Sequence, residues 1–310
     1  MDFPISHTHI NPIYLVITGF VVGVLGGFFG VGGSFLAGPA LFGFGLPMNF
    51  VVGTDLAHIV GKSVVAAQKH HSLGNVDVKL GALMMLGTIP GVELGAQLIE
   101  QLKHWGHVDV PVGVAFIFIL LSVSGFMAWE TWTTAGGNSN GSKQRTRKGR
   151  KKKSGKENAF AGVYLRIQKI KVWPYVSLPK SNISRISLWT IIAVSFVGGL
   201  FSGFLGGGAG YIRLPAMIYL LGVPTHVAIG TDLFEIIASA GYGTVSHALK
   251  GNVDILIALV MHTGAAIGAQ FGAVLTRYVN AMRLRVAFIP LPLIGCAIIL
   301  WGLIKGVPAK

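Results

Sequence analysis

Long segments without a charged side chain are the feature that most restricts what this chain can fold into. Four of them approach the length of about 20 residues that crosses a hydrocarbon layer, and they cover residues 13–29, 111–129, 188–205 and 286–304. Segment 80–99 carries one glutamate, and segment 255–276 carries only a histidine. Because 52% of the 310 residues are hydrophobic and only 12% are charged, a soluble domain is excluded. The sequence predicts an all-α, multi-pass membrane protein.

The formal net charge of +14 comes from one loop. Fourteen Lys and Arg face a single acid, Glu157, between Lys143 and Arg185. Basic loops tend to stay on the cytoplasmic side of a membrane, so segment 138–185 is predicted to be cytoplasmic at a cell membrane. Anionic lipid headgroups are a further expected partner of this segment. RNA binding ranks lower because no aromatic-rich recognition module accompanies the run, so no nucleic-acid partner is expected. Residues 162–179 alternate polar and apolar side chains, which predicts a short strand or hairpin at the membrane surface.

The basic loop separates two related halves. "GLPMNFVVGTDL" from Gly45 matches "GVPTHVAIGTDL" from Gly222, and "GNVD" from Gly74 recurs from Gly251, both 177 residues apart. The glycine cluster "FFGVGGSFLAGPAL" likewise matches "FLGGGAGYIRLPAM", and "GVELGAQ" matches "GAAIGAQ". So many matches in one order predict an internal duplication. The predicted domains are a first repeat over 1–135, the basic loop over 136–185 and a second repeat over 186–310.

Each half has the same predicted layout. A first span ends in a glycine cluster, a short apolar piece follows at 34–45 or 210–221, and a more polar helix opened by Gly-Thr-Asp leads into two further spans. The short pieces are too short to cross a bilayer. The sequence therefore favours about eight transmembrane helices plus two short broken or re-entrant helices, with both halves in the same orientation. If the short pieces do cross, the halves are inverted, and counting charges does not decide between the two.

This order of motifs resembles the TauE/SafE family of membrane exporters. The resemblance rests on the glycine cluster, the short helix with proline, "VPTHVAIGTDL" and the later Gly-Ala-Gln, and it covers 13–102 and 188–304. It implies secondary transport of small anions, with sulfite, sulfoacetate and other organosulfonates as the usual substrates. Many family members carry serine where this chain has Asp55 and Asp232. An aspartate adds a titratable charge, which bears on the substrate and on ion coupling.

The two glycine clusters form the predicted substrate site. Irregular backbone persists in a bilayer only inside protein or along a wet cavity, and paired breaks in two halves point to a transporter's binding site. Free N–H groups at a helix start suit an anion, and Arg213 adds a fork of donors for sulfonate or carboxylate oxygens. The glycines predicted to contact substrate are Gly30, Gly32, Gly33, Gly206, Gly207, Gly208 and Gly210.

Structural alternatives exist for both features. Glycine clusters in membrane helices also serve close helix packing. Arg213 could instead snorkel to the interface or pair with an acid such as Glu235.

Polar side chains share one face of each Gly-Thr-Asp helix, because positions i, i+3 and i+7 align. The two predicted stripes are Asp55, His58 and Lys62 in the first half and Asp232, Glu235 and Ser239 in the second. We expect Lys62 to assist Arg213 with the anion, and proton or ion coupling to fall to Asp55, Asp232, Glu235 and His58. Thr54 and Thr231 are expected to cap the helix starts and to contact substrate. A solvated cavity wall or an internal ion-pair cluster is the alternative.

Other polar residues receive structural assignments. Gln97 and Gln270 are expected to join helices or to line the same cavity, and His70, His71 and His247 are expected at surface positions near helix ends. Cys296 is predicted to be a thiol packed among apolar side chains.

No catalytic group, metal or cofactor is predicted, so the chain is not expected to be an enzyme. Without an ATPase motif, transport is driven by a gradient or is passive. The expected partners are a small anion and membrane lipids, with a homodimer as an open alternative. A passive anion channel is the second hypothesis, and the acidic stripes favour the carrier because an anion channel does not need them in its path.

Overall fold

The computed structural model of the protein describes residues 1–106, 108–136 and 172–305, and these residues are mainly helical. The helices before the basic loop are α1 (Pro12–Phe29), α2 (Ser34–Gly43), α3 (Met48–Ser72), α4 (Val78–His104) and α5 (Asp109–Gly136). Those after it are α6 (Leu188–Leu205), α7 (Gly210–Ala216), α8 (Thr225–Leu249), α9 (Ile255–Leu275), α10 (Ala281–Phe288) and α11 (Pro290–Lys305). A π-helical turn, Met217–Leu221, continues α7.

Among the described residues, seven helices are long and apolar enough to cross a membrane. They are α1, α3, α4, α5, α6, α9 extended to Tyr278, and the segment Met282–Lys305 that contains α11. Helix α8 is 25 residues long, like α3, but it lies outside this set because its sequence is not apolar enough. The segments α2 and α7 with its π-helical turn are short, as the sequence predicts.

Glycine seams join the helices in two pairs. A Cβ atom on Gly19, Gly23 or Gly27 of α1 would collide with the backbone of Met261, Ala265 or Ala269 of α9, and glycines of α9 face α1 in the same way. Gly87, Gly91 and Gly95 of α4 lie equally close to the backbone of α6. Small residues let the backbones of two helices come into contact. In lipid no hydrophobic effect drives helices together, so the van der Waals packing of this close contact supplies the attraction. In both pairs the contacts advance together along the sequence, so the paired helices are parallel.

The contacts also fix the direction of each helix. Gly33, at the start of α2, lies against Val22, and the Phe44 ring after α2 stacks on Tyr14 at the start of α1. Helix α2 thus returns toward the end at which α1 begins, which we call the N-terminal side. Helix α3 therefore runs like α1, and α4 and its parallel partner α6 run the opposite way. The first helices of the two halves are antiparallel, so the expectation that both halves share one orientation is wrong.

Two antiparallel hairpins lie at opposite ends of the bundle. Strands β1 (Asp2–Phe3) and β2 (Thr8–His9) form an N-terminal hairpin that the sequence did not predict. Strands β3 (Tyr175–Leu178) and β4 (Ile183–Ser187) form the other, on what we call the loop side, where α5 ends and α6 begins. The predicted strand over 162–179 is described only from Val172 onward. Strand β4 also runs two residues past the expected boundary at 185.

The glycine seams predict a large difference between two substitutions. Gly23→Leu should destabilise the fold by about 3 kcal/mol or more, because the side chain has to displace α9. Gly125→Leu in α5 is the matched control, since a Cβ there meets nothing within 4 Å; it should be neutral or stabilising by up to about 1 kcal/mol through helix propensity. Denaturation in mixed micelles measures both, and equal stability of the two variants would contradict the role of the seam.

Candidate functional site

Two glycine turns meet inside the bundle. Gly30, Gly32 and Gly33 follow α1, and Gly206, Gly207 and Gly208 follow α6; all six have φ between 67° and 83°. Side chains rarely adopt this left-handed conformation, so these turns require glycine. The turns contact each other, because Gly210 lies against the Val31 backbone and Gly32 lies close to the Gly207 carbonyl. The structure thus brings the two predicted half-sites together, and their contact with substrate remains a prediction.

Arg213 projects from α7, which starts directly after the second turn, and it is fully buried. Its Nε donates to Asp232 Oδ1 at 2.5 Å, and its Nη1 pairs with Glu235 Oε2. Gly198 of α6 lies against the stem of the arginine and leaves room for it. Of the two alternatives weighed for Arg213, the structure shows the internal ion pair with an acid.

The two acids share one face of α8, as their spacing predicts. Both are fully buried, and Ser239 Oγ donates to Glu235 Oε2 at 3.3 Å. With all three groups ionised, Arg213 balances only one of the two carboxylates. Arg213 Nη2 has no hydrogen-bond acceptor among the described residues. A buried donor without a partner is costly, so this guanidinium edge is the strongest candidate for contact with a ligand.

The first half has a different cluster on α3. His58 Nδ1 lies 3.4 Å from Asp55 Oδ1 and 3.4 Å from Lys62 Nζ, and all three residues are almost entirely buried. Tyr211, from α7 of the second half, is fully buried, and its hydroxyl has no hydrogen-bond partner among the described residues. The predicted stripe of Asp55, His58 and Lys62 is therefore an internal cluster of titratable side chains.

The two clusters are separate in this conformation. No hydrogen bond or ion pair of the described residues joins Lys62 to Arg213, because Lys62 contacts His58 and Arg213 contacts the two acids of α8. The hypothesis that Lys62 assists Arg213 with one anion thus finds no direct contact.

The sequence suggested that Thr54 and Thr231 cap helix starts, and this prediction is wrong. Helices α3 and α8 begin at Met48 and Thr225, directly after Pro47 and Pro224, so both Gly-Thr-Asp triplets lie well inside a helix. Thr54 Oγ1 instead accepts a hydrogen bond from the Asp254 amide at 2.9 Å, and Thr231 Oγ1 accepts one from the Asp77 amide at 2.8 Å. Each threonine therefore holds the loop that precedes a helix of the opposite half.

The same two aspartates anchor the hairpins. Ser6 Oγ of the N-terminal hairpin donates to Asp254 Oδ2 at 2.7 Å, and Ser181 Oγ of the loop-side hairpin donates to Asp77 Oδ2 at 2.6 Å. Sequence reasoning missed both serines. The repeated "GNVD" motif was the available signal, since it marks both acceptors.

The surface assignment of two histidines is wrong. His70 and His247 are fully buried, and their Nε2 atoms donate to the carbonyls of Gly27 at 3.0 Å and Gly203 at 2.9 Å. These carbonyls lie in the last turns of α1 and α6, where no helical N–H follows to bond them. The histidines thus satisfy backbone acceptors that the glycine turns leave free. His71 is exposed, as expected.

Neither glutamine lines the buried clusters. Gln97 is exposed and donates to Glu93 of the same helix at 3.2 Å. Gln270 is also exposed and borders an outer groove. Cys296 is a buried free thiol, in agreement with the sequence.

Comparison with known proteins decides the family. The family model for the sulfite exporter TauE/SafE matches residues 15–298. The chain belongs to the TauE/SafE family. The glycine turns, Arg213 and the two charged clusters all lie within the matched region of this TauE/SafE protein.

The relatives of this TauE/SafE chain are named as transporters. The probable membrane transporter protein YunE of Bacillus subtilis (strain 168) is 27% identical over 300 residues, which are 94% of this chain and 98% of YunE. YjnA, a probable membrane transporter protein of the same organism, is 23% identical over 267 residues, covering 84% of this chain and 89% of YjnA. The sulfite exporter TauE/SafE family protein 5 of Arabidopsis thaliana is 25% identical over 118 residues, or 37% of this chain and 26% of that protein. No solved structure matches the chain.

The ion pairs of Arg213 predict a graded effect on stability. Arg213→Gln should cost about 3–5 kcal/mol, because two buried carboxylates lose their only cation. The triple variant Arg213→Gln, Asp232→Asn, Glu235→Gln removes all three charges and should recover most of that loss. Denaturation in mixed micelles compares the two, and a single variant as stable as the wild-type chain would show that the acids do not depend on Arg213.

Proposed function

We propose that this TauE/SafE protein is a secondary active transporter that exports small anions such as sulfite or organosulfonates. The observation that carries the proposal is Arg213, which is fully buried, faces two acids and has one guanidinium nitrogen without an acceptor. Family membership supports the class of transporter. The fork of donors on an arginine matches two oxygens of a sulfonate or carboxylate group.

Charge balance supports coupling to protons. An anion that takes over a donor pair of Arg213 displaces a carboxylate of Asp232 or Glu235 from its cation. A buried carboxylate without a cation is costly, and uptake of one proton removes that charge. Anion and proton would then bind together. In the first half, Asp55 and His58 are the corresponding candidates for proton exchange, and Lys62 is the second buried cation that an anion could meet.

The architecture supports alternating access. We infer that the halves are an inverted duplication, because the 177-residue sequence matches coincide with antiparallel first helices, α1 and α6. Inverted repeats with broken helices that meet between the halves are characteristic of secondary transporters. Both charged clusters are buried, which fits a carrier with an enclosed site better than an anion channel with an open path. The glycine turns at Gly30 and Gly206 are the proposed points at which the backbone approaches the substrate.

The described cations support an orientation with the loop side in the cytoplasm. Lys69, Lys79, Arg277 and Arg283 belong to the loop side, whereas the N-terminal side has Lys103, Lys250 and Lys305. The end of α5 at Gly136 and the start of β3 at Tyr175 also lie at the loop side, and most of the basic residues from Lys143 onward fall between them in the sequence. The resulting bias follows the positive-inside rule.

Loss of the Arg213 charge should weaken anion binding strongly. The neutral triple variant Arg213→Gln, Asp232→Asn, Glu235→Gln should bind sulfite and sulfoacetate about 100-fold more weakly, the size expected for lost charged hydrogen bonds. Isothermal titration of the purified chain measures the affinity. Lys79→Gln, which removes an exposed cation bonded to the Ser177 carbonyl, should leave affinity unchanged. Wild-type affinity in the triple variant would remove Arg213 from the site.

Proton coupling predicts a defined pH dependence. The affinity for ethanesulfonate, whose charge is constant from acidic to neutral pH, should rise as pH falls, by up to about tenfold per pH unit if one proton binds with each anion. Asp232→Asn or Glu235→Gln should flatten this slope, because the carboxylate that takes up the proton is gone. In proteoliposomes, a pH step should then drive uphill anion movement. A pH-independent affinity, or ohmic flux that ignores the step, would instead favour the channel.

A further inference from the structure

A polar groove opens on the outer surface of the bundle between α3 and α9. It has a volume of about 340 Å³ and is lined by Val65, Gln68, Lys69, Ser72, Gln270 and Val274. Lys69 and Ser72 belong to the last turn of α3, so the groove lies at the loop side, near the end of the membrane-crossing part. We call it the α3–α9 groove.

The surroundings of the α3–α9 groove face lipid. Val64 on α3 and Ile267, Phe271 and Leu275 on α9 are large apolar side chains with 44% to 60% of their surface exposed. Exposed apolar side chains on membrane-crossing helices contact acyl chains. The groove therefore combines a cation, two amides and a hydroxyl with an apolar border, near the ends of two membrane-crossing helices.

The surface between α4 and α8 is the counterpart of this groove in the sequence repeat, and there an acid, Glu93, bonds the polar side chains. Glu93 there accepts hydrogen bonds from Ser246 Oγ at 2.7 Å, Tyr242 at 3.1 Å, and Gln97 and Lys250 both at 3.2 Å. Gln97 and Gln270 end the same Gly-Ala-Gln motif in the two halves. Four residues before the glutamine, the first half has Glu93 and the second half has Ala266.

The missing acid leaves Lys69 without an internal counter-ion. No ion pair within the described residues includes Lys69, although Lys250 on the counterpart surface pairs with Glu93. We propose that the α3–α9 groove binds the phosphate group of an anionic phospholipid. Lys69 supplies the charge, Gln68 and Gln270 supply hydrogen bonds, and the exposed side chains of α9 contact the acyl chains.

The apolar border favours a lipid over a free phosphate ion. A soluble phosphate gains only the polar contacts of the groove. A phospholipid gains these together with acyl packing along Ile267 and Phe271, and it is present at high local concentration in the membrane. This inference does not depend on the substrate of the transporter.

Native mass spectrometry of the full chain tests the proposal. Protein purified in detergent is titrated with phosphatidylglycerol, and with phosphatidylcholine of the same acyl chains as the neutral comparison. The wild-type chain should prefer phosphatidylglycerol. Lys69→Gln should weaken that binding about fivefold, the contribution expected of one cation at a lipid phosphate. Ala266→Glu, which introduces the acid found on the counterpart surface, should weaken it at least as much.

The matched control is Lys250→Gln, which removes the cation of the counterpart surface and should leave lipid binding unchanged. Thermal unfolding confirms that each variant is folded. The proposal is overturned if Lys69→Gln binds phosphatidylglycerol like the wild-type chain, if Lys250→Gln has the same effect, or if the two lipids bind equally. Inorganic phosphate that binds as tightly as the lipid would assign the groove to a free anion instead.

Discussion

Backbone contact at glycine seams between the two halves determines most of this structure. Lipid gives apolar helices no reason to associate, so close packing has to supply the attraction. The seams of α1 with α9 and of α4 with α6 provide it, and each seam joins a helix of one half to a helix of the other. Because α6 is parallel to α4, and α4 runs opposite to α1, the helices α1 and α6 run in opposite directions. Their glycine turns consequently meet, and α7 carries Arg213 into the interior beside the acids of α8.

The interior holds two charged clusters of different composition on equivalent helices. Position 58 is histidine where position 235 is glutamate, and position 62 is lysine where position 239 is serine. Helix α8 therefore has two acids and takes its cation from α7, whereas α3 carries its own cation. The second half thus has one cation beside two carboxylates, whereas the first half has an aspartate, a histidine and a lysine in one row.

Sequence patterns gave the parts of this fold that depend on spacing along one segment. The i, i+3, i+7 rule grouped Asp55 with His58 and Lys62, and the glycine clusters predicted irregular backbone next to Arg213. The errors concern residues whose partners lie far away in the chain. Thr54 bonds the Asp254 amide, and His70 bonds the Gly27 carbonyl. Neither partner follows from local sequence, because a hydrogen bond between elements far apart in the chain depends on helix directions that hydropathy and charge did not settle.

The reciprocal bonds of Thr54 with Asp254 and of Thr231 with Asp77 make the halves interdependent. Each half supplies the threonine that orders a turn of the other, and each contributes glycines to both seams. A half produced alone would expose its glycine faces to acyl chains and would lack the threonine that bonds its aspartate loop. A cut between residues 136 and 172 breaks none of these hydrogen bonds or glycine contacts. Two fragments that are produced together therefore keep every group through which the halves hold each other.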